Sequence, residues 1–279
     1  MDKYQITGEQ VEIFKVALCR EERAPGTVEK YLRDLAAFRA WTGDMIEENS
    51  ASRWKERLLE GNYAPSTINS MLAAVHKFYK YCGLEAWRTK PLRIQRQIFR
   101  DERRELTRAE FARLLSQAEK RSRRLALLME TICATGIRVS EVQYITLEAA
   151  MAGKTAISLK GKIRTILLPK KLCKKLIKFA KEKKIAAGEL FLTASGKGLS
   201  RRQIWSEMKR LCKDAGVEES KVFPHNLRHL FAVVFYQAYH DIACLADVLG
   251  HSNIETTRCY LITSGVEHAR RLDQLGLVI

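Results

Sequence analysis

The sequence is poor in the features that mark secreted, membrane-spanning or metal-stapled chains. Its seven cysteines are odd in number, no two stand as C-x-x-C, and most fall inside apolar helical patterns. This argues against a disulfide framework or a cysteine zinc site and predicts reduced, packed thiols. No apolar run approaches the roughly 18–20 residues that a bilayer requires. The opening MDKYQITGEQ has neither an apolar core nor a cleavage signal, so a soluble cytoplasmic protein with no membrane partner is expected. ASGKGLS, near residue 196, lacks phosphate-loop spacing, which weakens any case for nucleotide binding.

Negative charge is also scarce. Forty-nine Lys and Arg stand against 32 Asp and Glu, a net +17. Residues 1–100 hold 17 basic and 13 acidic groups and the remainder 32 and 19, so the excess lies mostly in the C-terminal part. A polyanion is the natural partner, because each neutralised phosphate releases counterions.

The first part of the chain alternates helical stripes with short turns. In TGEQVEIFKVALCRE, Val11, Phe14 and Leu18 take the i, i+3, i+7 positions of an amphipathic helix. Two helix openings, APGTVEKYLRDLAAF from Ala24 and APSTINSMLAAVHKF from Ala64, lie forty residues apart. Each sets a proline before a threonine and an apolar-periodic run. Four or five helices are expected within residues 1–88. A basic connector containing Pro91 follows, read as a linker over 89–104, and a second domain occupies 105–279.

That second domain opens with Thr107 and Glu110, the T-x-x-E of a capping box. RLALLMETICAT reads as a buried helix, apolar nearly all round. The period then changes. KTAISLKGKIRTILLPKKL alternates on both sides of Lys160-Gly161-Lys162, which predicts a hairpin closed by a tight glycine turn. Helical patterns resume at Ser200. The expected fold is mainly α with a small antiparallel β-sheet.

Four short motifs carry chemistry. In ATGIRVSEV, Gly136 suits the end of the buried helix and leaves Arg138 at the start of the next, where a guanidinium fork and free amides favour an anion. In PHNLRHLFA, Pro224 opens a helix on which His225 and Arg228 are i, i+3 neighbours. His225 and His229 also have a zinc-ligand spacing, but the HExxH glutamate is absent and no third ligand suggests itself. In LGHSNIETTRCY, Ser252 and Glu255 read as a capping box, placing His251 in a turn fixed by Gly250 and Tyr260 about two turns later. Taken alone, Tyr260 reads as a core residue, and a lysine on the tight turn reads equally as a proton donor projecting into a cleft or as a surface charge with no role.

Together, ATGIRVSE, the lysine hairpin, PHNLRHLFA and LGHSNIETTRCY resemble the tyrosine recombinase (phage integrase) family, in its motif order and at comparable spacings. The type it is most similar to is the simple two-domain Xer-like one, because 279 residues leave no room for an added arm-binding domain. The resemblance covers the whole second domain, and the helical first part is more loosely similar to the family's SAM-like core-binding domain. It implies an N-terminal helical bundle and a catalytic domain forming a clamp around DNA. The site residues it implies are Arg138, His225, Arg228, His251 and the nucleophile Tyr260, with Glu141 as an accessory acid. Lys160, which precedes the turn glycine, matches the general acid, with Lys162 as the alternative.

The implied reaction is site-specific cleavage and rejoining of DNA through a 3′-phosphotyrosine, with no metal and no nucleotide cofactor, for integration, excision or resolution. Arg138 and Arg228 would carry the charge of the pentacoordinate phosphate, His225 and His251 would add hydrogen bonds, and the lysine would protonate the departing 5′ oxygen. A free tyrosine ionises only near pH 10, so the cations must help the phenolate form. The implied partners are double-stranded DNA with specific core sites, a homo-tetramer on two duplexes, and accessory DNA-binding proteins in some systems. Two rivals remain: a non-catalytic DNA-binding regulator and a DNA-relaxing enzyme like the type IB topoisomerases. The apolar end LDQLGLVI is expected to dock either in a neighbouring protomer or on its own domain.

Overall fold

The computed structural model describes residues 3–94, 104–159, 162–260 and 273–275. The chain divides into two compact units, Met1–Arg96 and Gln97–Ile279.

The first unit holds four α-helices: α1 (Gly8–Arg20), α2 (Pro25–Thr42), α3 (Ser50–Glu60) and α4 (Pro65–Tyr81). Pro25 and Pro65 sit at the first helical position of α2 and α4, where a missing N–H costs nothing and the fixed φ fits a helix. Thr7 caps α1: its hydroxyl accepts from the Gln10 amide at 3.2 Å, and the Gln10 side chain accepts from the Thr7 amide at 3.0 Å. Phe14, Leu35, Phe38, Ile68, Leu72 and Phe78 are buried between the helices. Phe38 meets Trp54 edge-on with ring centroids 5.0 Å apart, a geometry aromatic pairs favour.

A two-stranded antiparallel sheet, β1 (Lys3–Gln5) with β2 (Met45–Glu47), is an addition to the elements expected from sequence. Three-residue strands are too short to display a period of two. They tie the N-terminus to the α2–α3 connection, and Ile6 and Ile46 fill the space beneath. The segment read as linker begins against this unit. The amide and carbonyl of Leu92 both pair with the Asn69 side chain at 2.8 Å, and the Thr89 amide donates to His76 Nε2 at 3.3 Å.

In the second unit, α5 (Arg108–Arg121) starts at the Thr107–Glu110 capping box, made in both directions. α6 (Arg123–Thr135) is the central element. Leu125, Ala126, Leu127, Leu128, Met129, Thr131, Ile132 and Thr135 are all buried on it. Its two buried threonines satisfy their hydroxyls on carbonyls one turn back, so the polar atoms need no water. Around it lie α7 (Leu147–Ala152), α8 (Lys170–Glu182), α9 (Arg201–Lys209), α10 (Cys212–Ala215) and α11 (Pro224–Tyr239). α5, α8 and α11 each pack on α6. α12 (Ile242–Leu249) and the five-residue α13 (Ile254–Arg258) complete the described helices.

The predicted hairpin is present as β3 (Lys154–Leu159) and β4 (Lys162–Leu167), antiparallel in register Leu159↔Lys162 to Lys154↔Leu167. On β4, Ile163 and Leu167 are 81% and 66% exposed, whereas Ile166 is 2% exposed and Arg164 faces the same way as Ile166. All seven cysteines are free thiols; Cys173 and Cys212 are buried as expected, but Cys19, Cys244 and Cys259 are exposed. Cys19 illustrates the reason: it follows the core residue Leu18, and one residue turns a helix about 100° away from the core.

Candidate active site

The site begins where α6 stops. Gly136 takes φ +63°, and a Cβ there would lie 2.5 Å from Phe231 Cδ1 and 2.9 Å from Leu249 Cδ2. Glycine is therefore needed twice, for the left-handed turn and for the close approach of α11 and α12. Beyond it, Arg138 stands just before a 3-10 stretch, Val139–Tyr144. Glu141, 1% exposed, accepts from the Arg138 backbone amide at 2.8 Å and from Arg138 Nη1 at 3.0 Å. The rest of the Arg138 side chain is exposed.

Arg228, on the first turns of α11, is 1% exposed. Its Nη1 donates to the Gly136 carbonyl at 2.6 Å and its Nη2 to the Leu249 carbonyl at 2.9 Å. The same Nη2 lies 2.8 Å from His251 Nε2. Burial, reinforced by the nearby Arg138 charge, pulls the Arg228 pKa down to about 10, and the Tyr260 phenol, hydrogen-bonded to it, acts in the opposite sense.

These contacts fix the state of His251. A guanidinium only donates, so Nε2 must accept, and the ring proton sits on Nδ1. From there it is donated to Thr257 Oγ1 at 2.8 Å. Burial first, then the charges of Arg228, Arg138 and Arg164, lower the His251 pKa to about 4, so the ring is neutral at neutral pH. In this arrangement Nε2 orients Arg228 and has no proton to offer an anion.

Tyr260 is 9% exposed, and its ring is surrounded by three imidazoles: His229 stacked at 5.5 Å, His251 stacked at 5.8 Å, and His225 tilted at 5.7 Å. His225 is exposed, whereas His229 is buried. Among the described residues no three His, Cys, Asp or Glu are placed to hold a metal ion.

Tyr260 differs from the expectation in one detail. Asn253, not Ser252, caps α13, its Oδ1 accepting from the Glu255 amide at 2.9 Å. The helix is one residue shorter at its start and ends at Arg258, and Tyr260 follows it on a tight turn, its amide bonded to the Thr257 carbonyl at 2.9 Å. The Gly250 turn and the His251–Thr257 bond also hold the segment.

The structure thus gathers Arg138, Glu141, Arg228, His251, Tyr260 and His225 in one place. Lys160 falls outside the described residues, Lys162 is described only as the first residue of β4, and most of the C-terminal segment LDQLGLVI lies outside them as well. Two site residues were not found from sequence. Thr257 gave no signal. Arg164 did: it is a charge at an inward position of an alternating strand. Its Nη1 donates to both oxygens of Glu141, at 3.0 and 2.8 Å, and its Nη2 to the Val248 carbonyl at 2.8 Å. Arg138 and Arg164 therefore share one buried carboxylate, while Arg228 is held by two carbonyls, His251 and the phenol. Three guanidiniums beside Tyr260 face one carboxylate, a centre that lacks about two negative charges.

Residues 104–264 match the model of the phage integrase family, and residues 11–85 that of the phage integrase N-terminal SAM-like domain. The chain is 29% identical over 280 residues to the tyrosine recombinase XerA of Thermococcus kodakarensis, covering 97% of this chain and 96% of that one. It is 26% identical to the tyrosine recombinase XerD of Vibrio cholerae over 258 residues, 85% of each. A lambda integrase tetramer bound to a Holliday junction has the same fold, with a TM-score of 0.73 at 16% identity over 92% of this chain and 77% of that one. Because the family model spans more than half of its length, the chain belongs to the phage integrase family.

Proposed function

We propose that this protein is a site-specific DNA recombinase that breaks and rejoins strands through a 3′-phosphotyrosine. The observation that carries the reading is the excess of guanidinium over carboxylate around Tyr260. A phosphodiester supplies the missing negative charge, and its transition state supplies more. Arg138 and Arg228 take the non-bridging oxygens; losing one such preorganised donor costs about 10²–10³ in rate. The Tyr260 oxygen attacks phosphorus, the bond to the 5′ oxygen breaks, and Lys160, or Lys162, gives that oxygen its proton. His225, exposed beside the phenol, receives the tyrosine proton, while neutral His251 aligns Arg228. Attack by a 5′-hydroxyl from a partner strand reverses the steps and releases the enzyme.

The first unit serves as the core-binding domain and the second as the catalytic one, each acting on duplex DNA. Exchange between two sites calls for a tetramer on two duplexes, in the cytoplasm where the chromosome lies. Among the described residues no helix is long and apolar enough to cross a membrane.

Incubation with a nicked suicide site tests the reading. The wild type is expected to form a covalent protein–DNA adduct. Tyr260→Phe is expected to bind the same DNA without forming one. Binding without any wild-type adduct would instead indicate a regulator, and relaxation of DNA that carries no specific site would indicate a topoisomerase.

A further inference from the structure

Arg164 is neither one of the residues the family resemblance assigns nor a surface charge. Its side chain is 10% exposed on the inward face of β4, and its Nε is buried with no hydrogen-bond partner. Burying a cation is costly, and only good pairing geometry offsets the cost. The two terminal nitrogens reach in different directions. One holds both oxygens of Glu141, the carboxylate that also grips Arg138, and the other holds the carbonyl of Val248 in the last turn of α12. Gly250, which ends that turn, lies directly against the arginine: a Cβ at Gly250 would stand 2.2 Å from Arg164 Cδ and 2.6 Å from Nε. His251 is the next residue. Arg164 therefore sets the distance between the Arg138–Glu141 pair and the turn that presents His251, and through His251 the orientation of Arg228.

We infer that Arg164 is a positioning residue for phosphate activation, holding the two catalytic arginines in register without touching the phosphate itself. This deepens the recombinase reading and rests on it. Geometry at this level matters kinetically, because a displacement of about 1 Å at a reacting centre costs about 100-fold. Lysine retains the charge but not the fork, so Arg164→Lys satisfies either Glu141 or the Val248 carbonyl and not both.

The experiment is single-turnover cleavage of a suicide DNA site by wild type, Arg164→Lys and Arg164→Gln, with non-covalent binding measured in parallel. For Arg164→Lys the expected result is a rate constant about 10- to 100-fold lower, with the dissociation constant for DNA within about threefold of wild type. Arg164→Gln is expected to be slower still. A 5′-bridging phosphorothiolate, whose sulfur leaves without a proton, is expected not to restore the rate, since the defect lies in the phosphate clamp.

An unchanged rate constant would overturn the inference. So would a reduced amplitude at an unchanged rate constant, the signature of a residue that only keeps the protein folded. Full rescue by the phosphorothiolate would move Arg164 to the leaving-group side and overturn it equally. If the wild type gives no adduct on DNA that it binds, the recombinase reading fails first, and the two failures are thereby distinguished.

Discussion

Removing one hydroxyl, by Thr257→Val, tests how the site controls its histidine. Thr257 is fully buried, and its Oγ1 is the acceptor for the His251 Nδ1 proton at 2.8 Å. Valine keeps the shape and deletes the acceptor. A neutral hydrogen bond contributes about 0.5–1.5 kcal/mol net, a factor of about 2 to 13 in the balance between the two ring tautomers. Each molecule that moves its proton to Nε2 points an N–H at the Arg228 Nη2, donor against donor, and loses the alignment of that arginine. Because the wild-type ring is mainly Nδ1–H, the variant is expected to cleave more slowly by less than that factor, with DNA affinity little changed. Imidazole ¹⁵N resonances report the tautomer directly: Nδ1–H in the wild type, a mixture in the variant. A wild-type ring protonated at Nε2, or a variant that cleaves at the wild-type rate with a mixed ring, would refute the argument.

Three further outcomes follow from the structure. Gly136→Ala combines a left-handed residue costing about 1–2 kcal/mol with overpacking against Phe231 and Leu249 costing about 1–3 kcal/mol; hydrogen exchange of the α6 amides is expected to accelerate accordingly. Phe38→Ala, at a fully buried ring, is expected to destabilise the first unit by about 3–5 kcal/mol. Tryptophan fluorescence during urea unfolding reads that unit, since Trp41, Trp54 and Trp87 lie in it and only Trp205 does not. The third outcome concerns pH. The unfolded His251 imidazole takes up a proton below its ordinary 6.5, while the folded one stays neutral until about 4. The unfolded state binds more protons between those values, so this contribution is fully present above 6.5 and is lost as pH falls toward 4. Replacing His251 with Gln is expected to flatten the difference in urea midpoint across that window.

Much of this architecture is legible from local patterns. The prolines opening α2 and α4, the Thr107 box and Gly136 announce themselves because each satisfies a backbone requirement within a few residues. The hairpin is visible for the same reason, since alternation is a local property. β1 and β2 are not, because their pairing joins residues forty positions apart over three-residue strands. At the site, Arg138, Arg228 and Tyr260 are legible only as members of ordered motifs. Taken singly, a tyrosine after a short helix reads as packing, and the structure shows why: it is indeed packed, among three imidazoles. Arg164 and Thr257 act through contacts with Glu141 and His251 that sequence spacing does not encode. The cap of α13 went to Asn253 rather than Ser252 because the preceding turn, made by Gly250, decides which side chain reaches the free amides.

The shortage of negative charge around Tyr260 has a consequence at the level of the laboratory buffer. Three guanidiniums with one carboxylate among them repel one another, so any small oxyanion that binds there relieves the repulsion and stabilises the fold by mass action. Phosphate, sulfate and vanadate should each raise the melting temperature of the second unit above its value in chloride at equal ionic strength. The same ions should slow cleavage in competition with DNA, so a preparation kept in phosphate will look sturdier and less active than one kept in chloride.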